Sequence, residues 1–188
     1  LASLRPIPNL IIFAPRDARA LRNMMYTAQR GLTHPIAIRY PRGRGNLLDW
    51  QTPMHSLDIG TAELLQNGTT IAVLSLGTIA DTVTLALDLL ENKQAVTHVD
   101  MRFLKPLDEA LLHEICQTHQ AMITVEDGML KGGLARALAE FISVHRYPII
   151  LKSHGIADHF IPHGKPAELY ELCGLTPEAI AHSIIELI

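Results

Sequence analysis

Short apolar runs of strand length alternate with helix-patterned segments through most of this chain, and that alternation limits the fold more than any other feature. From residue 70 onward, each run is followed by ten to fifteen residues with apolar positions at helical spacing. This order is typical of α/β domains, so we predict a mostly parallel sheet with helices on both faces. The predicted strands are Ile71–Leu76, Val96–Met101, Ala121–Val125 and Ile149–Leu151.

The first 45 residues predict a smaller strand–helix–strand unit. Leu10–Ala14 is an apolar run, Asp17 is a candidate N-cap for a helix ending near Gly31, and Ile36–Tyr40 is a second strand. A right-handed crossover would make the two strands parallel. The unit is too small to fold alone, and the polar stretch after it predicts a linker at 46–54 and a second domain at 55–188.

Composition narrows the possible partners and compartments. The 188 residues carry a net charge of −3 with neutral histidines, which gives no indication of a nucleic-acid partner. No apolar run is long enough to span a bilayer. The two cysteines, Cys116 and Cys173, are expected to be free thiols of a cytoplasmic protein. Because the chain begins at Leu1 and almost at once enters a predicted strand, we expect it to be a fragment of a longer protein.

Arg42 is the strongest candidate for ligand binding in the sequence. It follows the predicted strand at 36–40, between Pro41 and Gly43, where the strand must end and the backbone can turn. An arginine held there would present a planar, permanently charged fork to a carboxylate or phosphate. The alternative from the residues alone is that Arg42 and Arg44 are solvated charges on a turn.

Polar residues also follow three of the predicted strands, where open α/β sheets usually bind ligands. They are Gly77-Thr78, Asp100 to Arg102 and Glu126 to Gly128. Glu126 and Asp127 could act as a general acid or a general base in catalysis. We favour a structural or interface role, because adjacent side chains on a strand face opposite sides.

Two further motifs are weak indications of binding. Lys131-Gly132-Gly133 before a helix could cradle an anion, yet it lacks known phosphate-loop spacing, and close strand–helix packing also explains the glycines. His154, His159 and His163, with Asp158 among them, could bind a metal. Their spacing places them on no common face, so we predict no metal site.

Several segments together resemble the 1-deoxy-D-xylulose-5-phosphate synthase family of the transketolase superfamily. Two of them carry most of the likeness: Ala37-Ile38-Arg39-Tyr40-Pro41-Arg42-Gly43, and Gly155 to Gly164 with its Asp158-x-Phe160-Ile161-x-His163-Gly164 pattern. An Arg102-Phe103-x-Lys105-Pro106-Leu107-Asp108 element is shared more loosely with the β subunits of 2-oxoacid dehydrogenases. Further matching segments are 7–9, 14–17, 21–28, 99–101 and 124–127.

The resemblance implies the C-terminal part of a thiamine-diphosphate-dependent transferase of isoprene and thiamine biosynthesis. The family condenses pyruvate with glyceraldehyde 3-phosphate, losing CO₂. By this likeness residues 1–45 end a pyrimidine-binding domain, and residues 55–188 form a transketolase-like C-terminal domain. Arg42 matches the family's arginine for the acceptor phosphate. Catalytic, thiamine diphosphate and Mg²⁺ sites would lie upstream, so none is expected here and the fragment alone should be inactive.

The likeness further implies a cytoplasmic homodimer that binds small-molecule substrates and neither membrane nor nucleic acid. Two departures, Gly132 to Arg136 and Ala157, concern packing in the C-terminal domain. The alternatives are a 2-oxoacid dehydrogenase β-type or other transketolase-like enzyme, and a non-catalytic assembly or regulatory module.

Overall fold

A computed structural model describes residues 1–41 and 51–188 of the chain. Its strands and helices alternate as the sequence predicts. The strands are β1 Ile11–Phe13, β2 Ile36–Ile38, β3 Glu63–Gln66, β4 Ile71–Leu76, β5 Val96–Asp100, β6 Phe103–Lys105, β7 Ala121–Met129 and β8 Ile150–Ile156. The helices are α1 Ala18–Gln29, α2 Ala80–Asp88, α3 Glu109–Thr118, α4 Leu134–His145, α5 Pro166–Leu172 and α6 Pro177–Ile185, with a 3₁₀ turn at Lys93–Ala95.

The larger sheet has five strands in the order β3-β5-β4-β7-β8. Strands β5, β4, β7 and β8 are mutually parallel, and only the edge strand β3 is antiparallel to its neighbour. The mostly parallel sheet is therefore confirmed. Strand β7 runs beyond the predicted end at Val125 to Met129, with a register shift against β8, so Glu126 to Gly128 belong to the strand.

Helices cover both faces of this sheet, as predicted. On β4, Ala72, Leu74 and Leu76 face one core that includes buried residues of α3 and α4. Ile71 and Val73 face a second core with α2 and α6. All five side chains are fully buried, because alternate residues of a central strand point into opposite layers. No helix among the described residues is long and apolar enough to cross a membrane.

A second, three-stranded sheet joins the N-terminal unit to the rest of the chain, in the order β2-β1-β6. Strands β1 and β2 are parallel as predicted, whereas β6, which was not predicted, pairs antiparallel with β1. The rings of Phe13 and Phe103 meet edge to face across this pairing, with centroids 4.6 Å apart. The division into domains at 45 and 55 stays a prediction.

Both predicted ends of helix α1, Asp17 and Gly31, are confirmed. Asp17 accepts a bond from the Ala20 amide at 2.7 Å, and Asp108 caps α3 through the Leu111 amide at 3.1 Å. Gly31 follows α1 with a φ of +83°, the left-handed conformation that glycine tolerates best. Helix α2 begins after Ile79 without a side-chain cap.

Candidate functional site

The carboxyl ends of β5, β4 and β7 meet at one edge of the larger sheet. Ser75 lies opposite Asp100 on one side, and Leu76 lies opposite Glu126 on the other. The three polar strand ends predicted from the sequence therefore lie side by side. Open α/β sheets bind ligands at this edge, so it is the candidate functional site.

The guanidinium of Arg39 reaches this edge from the end of β2. Its Nη1 forms an ion pair with the Asp127 carboxylate, and its Nη2 donates a 2.9 Å hydrogen bond to the Asp127 backbone carbonyl. A Cβ on Gly77 would lie 3.2 Å from Nη1, so the glycine leaves room for the arginine. The sequence gives no sign of this contact, because Arg39 and Asp127 are 88 positions apart in the chain.

The carboxyl group of Glu126 lies at the N-terminus of α4. Its carboxylate accepts a 2.9 Å bond from the Ala135 amide, while Oε2 has no hydrogen-bond partner among the described residues. Burial raises the pKa of this carboxyl, and the amides of Ala135 and Leu134 oppose the shift. The Lys131-Gly132-Gly133 turn is thus not an open anion cradle, since the chain's own carboxylate occupies the helix end.

Asp100 is a second buried carboxyl at the same edge. Its Oδ1 accepts a 3.0 Å bond from the Arg102 amide, and Oδ2 has no hydrogen-bond partner in the described part of the chain. Burial raises the pKa of Asp100 to about 6, against the smaller effects of Arg102 and Arg16. The Arg102 side chain pairs with Glu63 on β3, so its charge does not lie directly on Asp100.

The remaining predicted residues fall elsewhere or outside the described residues. Arg42, the one predicted binding residue, lies outside them. His154 is bonded to the Gly174 carbonyl at 3.1 Å and the Ser183 hydroxyl at 2.9 Å, and Asp158 pairs with Lys131. Across residues 1–41 and 51–188 no group of three or more His, Cys, Asp or Glu could hold a metal ion.

Comparisons with known proteins agree on the kind of chain this is. The family "Transketolase, C-terminal domain" matches residues 60–180. Curated proteins described as 1-deoxy-D-xylulose-5-phosphate synthase are similar over nearly the whole chain. That of Bacteroides thetaiotaomicron is 43% identical over 99% of the chain, and that of Parabacteroides distasonis is 46% identical over 98%. The chain spans only 29% of the length of either relative.

A solved structure shares the whole architecture. The chain described as "Split gene transketolase, inactive beta4 tetramer" superposes with a TM-score of 0.87 at 31% sequence identity. The superposition covers 100% of this chain and 60% of that one.

Proposed function

Because the chain belongs to the family of transketolase C-terminal domains, we propose that it is the C-terminal part of a 1-deoxy-D-xylulose-5-phosphate synthase. The observation that carries the proposal is the identity of 43–46% to synthases of three bacteria, the third being Phocaeicola vulgatus, over 98–99% of the chain. The full-length protein would condense pyruvate with glyceraldehyde 3-phosphate, with loss of CO₂, in non-mevalonate isoprenoid synthesis.

The cofactor of this reaction belongs, in our proposal, to parts of the full-length protein outside this chain. When bound, thiamine diphosphate supplies the electron sink for decarboxylation. The described residues offer no ligand set for the Mg²⁺ that accompanies it. We therefore expect residues 1–188 alone to be inactive, an expectation that the inactive assembly of the split-gene neighbour supports.

Arg42 is the residue of this chain that we assign to substrate. In the Arg39-Tyr40-Pro41-Arg42-Gly43 segment it matches the family's arginine for the acceptor phosphate, and a guanidinium suits that dianion because it can donate two parallel hydrogen bonds. The role is binding and orientation of glyceraldehyde 3-phosphate, which places its aldehyde for attack.

The test compares two acceptors in the full-length protein. For Arg42→Ala we expect kcat/KM to fall by roughly 30- to 1000-fold with glyceraldehyde 3-phosphate, equivalent to about 2–4 kcal/mol, and little with unphosphorylated glyceraldehyde. Arg44→Ala, which removes an arginine two residues later, is the matched control and should leave both values near wild type. Equal small losses with both acceptors for Arg42→Ala would refute the assignment.

A second candidate is another transketolase-type enzyme, which the split-gene neighbour favours. Release of CO₂ from pyruvate during condensation with the triose phosphate would support the synthase over that candidate. We also propose that the protein works in the cytoplasm as a homodimer. The neighbour's tetrameric assembly supports self-association.

A further inference from the structure

We propose that the surface around Phe160 is a docking face for the upstream part of the full-length protein. This inference rests on the proposed function, in which this chain is the C-terminal part of a longer polypeptide. Its starting observation is that the phenyl ring of Phe160 is fully exposed in the described part of the chain. Burial of such a ring stabilises a protein, and aromatic side chains are enriched in the cores of protein interfaces.

A second exposed apolar side chain, Met129, is connected with Phe160 through an ion pair. The Lys131 ammonium pairs with the Asp158 carboxylate, and Met129 and Phe160 each lie two positions from their member of the pair. The side chain of Met129, at the end of β7, is 44% exposed. We call these four residues the Phe160 surface. Apolar side chains with exposed charges beside them are typical of the core and rim of an interface.

The segment that carries Phe160 is held in place by backbone hydrogen bonds. The amide of Leu130 donates a 3.0 Å bond to the carbonyl of Ile156, which fastens the end of β8 to the end of β7. The amide of His159 donates a 2.8 Å bond to the carbonyl of Ala157, next to the ion pair. A ring presented on a fixed segment loses less conformational entropy on docking than a ring on a free one.

The first residues of the chain lie beside the Phe160 surface. A Cβ on Gly132 would lie 2.6 Å from the Cβ of Ala2, so these two residues are in close contact. Leu1 and Leu4 pack against the core that includes α3 and α4, and the Leu4 amide donates to the Leu1 carbonyl at 2.9 Å. The N-terminal turn is therefore anchored next to Lys131.

This anchoring identifies the occupant of the surface. In the full-length protein, the upstream polypeptide would join the described part at Leu1, beside Gly132. The chain spans only 29% of the length of its curated relatives, so the larger part of the protein has to lie close to this point. The complementary face would be an apolar depression that takes the phenyl ring, with polar groups around it that meet Lys131 and Asp158.

The experiment introduces Phe160→p-benzoylphenylalanine into the full-length protein. This residue keeps an aromatic ring and, under ultraviolet light, forms a covalent bond with the group that it contacts. We expect cross-links within one polypeptide to residues upstream of Leu1, identified by mass spectrometry. Val144→p-benzoylphenylalanine is the matched control, because Val144 is also exposed and apolar but lies at the far end of α4 from Gly132. It should give no upstream cross-link.

Phe160→Cys gives an independent readout that does not need the bulky cross-linker. In the native full-length protein we expect its thiol to react with a maleimide at least about tenfold more slowly than the thiol of Val144→Cys, because a docked side chain is protected until the contact opens. The rate is followed on each labelled peptide by mass spectrometry. Equal rates at the two positions would refute the docking of Phe160.

The remaining outcomes separate this inference from the proposed function. A covalent dimer would assign the ring of Phe160 to a second copy, and cross-links confined to residues 1–188 would leave it undocked; either result refutes the inference. Formation of 1-deoxy-D-xylulose 5-phosphate is measured on the same protein. If the product forms without upstream cross-links, the inference fails alone. If upstream cross-links appear without the product, the proposed function fails and the docking face stands.

Discussion

The carboxylate of Glu126 occupies the space that a Cβ on Gly133 would need. A Cβ built on that glycine lies within 2.6 Å of the glutamate Cδ. The φ of Gly133 is −88°, a value open to any residue, so the requirement for glycine is steric and not conformational. The end of β7 and the start of α4 are thus packed around one buried carboxyl group.

Gly133→Ala should destabilise the protein by about 1–3 kcal/mol, the usual result of overpacking a buried site. The thermal unfolding midpoint of the full-length protein, compared with wild type, measures the effect. Gly128→Ala is the control, because a Cβ there would lie 3.3 Å from the same carboxylate and needs a far smaller adjustment. Equal shifts for the two variants would argue against steric exclusion by Glu126.

The sequence predicts the layers of this fold well and its long-range contacts poorly. The strands β4, β5 and β7 are predicted because each is a short segment rich in apolar and β-branched residues between helical patterns. Strand β6 was missed because three residues form no periodic pattern, and its pairing with β1 lies about ninety residues away in the chain. The ion pair between Arg39 and Asp127 was missed for the same reason. The sequence predicts that the strand ends lie together at one edge of the larger sheet. It does not predict which charged residue of the other sheet reaches that edge.

Phe103→Ala should lower the free energy of unfolding by about 3–5 kcal/mol. Its ring is fully buried against Phe13, so the substitution removes an edge-to-face contact and leaves a cavity. Phe103→Leu keeps most of the volume and should cost less. Both are measured as shifts of the thermal unfolding midpoint, with the exposed Val144→Ala as control. An unfolding midpoint unchanged in Phe103→Ala would contradict the packing of Phe103 on Phe13.

Asp100→Asn should stabilise the protein relative to wild type, and this gain in stability should be larger at neutral pH than at pH 4. The pKa of Asp100 is raised from 3.8 to about 6, so the folded state favours the protonated carboxyl. Wild type therefore loses stability as pH rises from about 4 to 6, by about 3 kcal/mol in total. Asparagine is neutral throughout and removes this loss. Unfolding midpoints of the variant and wild type between pH 4 and pH 7 give the difference, which must grow with pH.

His98 on β5 should produce the opposite pH dependence. Its imidazole is buried, and burial together with the charge of Arg16 lowers the pKa to about 4. Because the Ser75 hydroxyl donates to the Val99 carbonyl, its oxygen can accept the Nε2–H of neutral His98 at 3.0 Å. Below pH 6.5 this histidine becomes protonated in the unfolded protein, whereas in the folded protein the buried imidazole stays neutral. Stability is therefore lost as pH falls toward 4, by about 3 kcal/mol.

His98→Gln tests this while keeping an N–H donor for Ser75. The variant should lose the destabilisation at acid pH that His98 causes, and it should keep the destabilisation at higher pH that Asp100 causes. Its stability should therefore fall as pH rises from 4 to 6. Asp100→Asn retains the penalty of His98, so its stability falls as pH drops below 6.5. In wild type the two effects oppose each other over the same range, which predicts a flatter pH dependence than in either variant. Parallel curves for the two variants would show that these buried groups do not control the acid response.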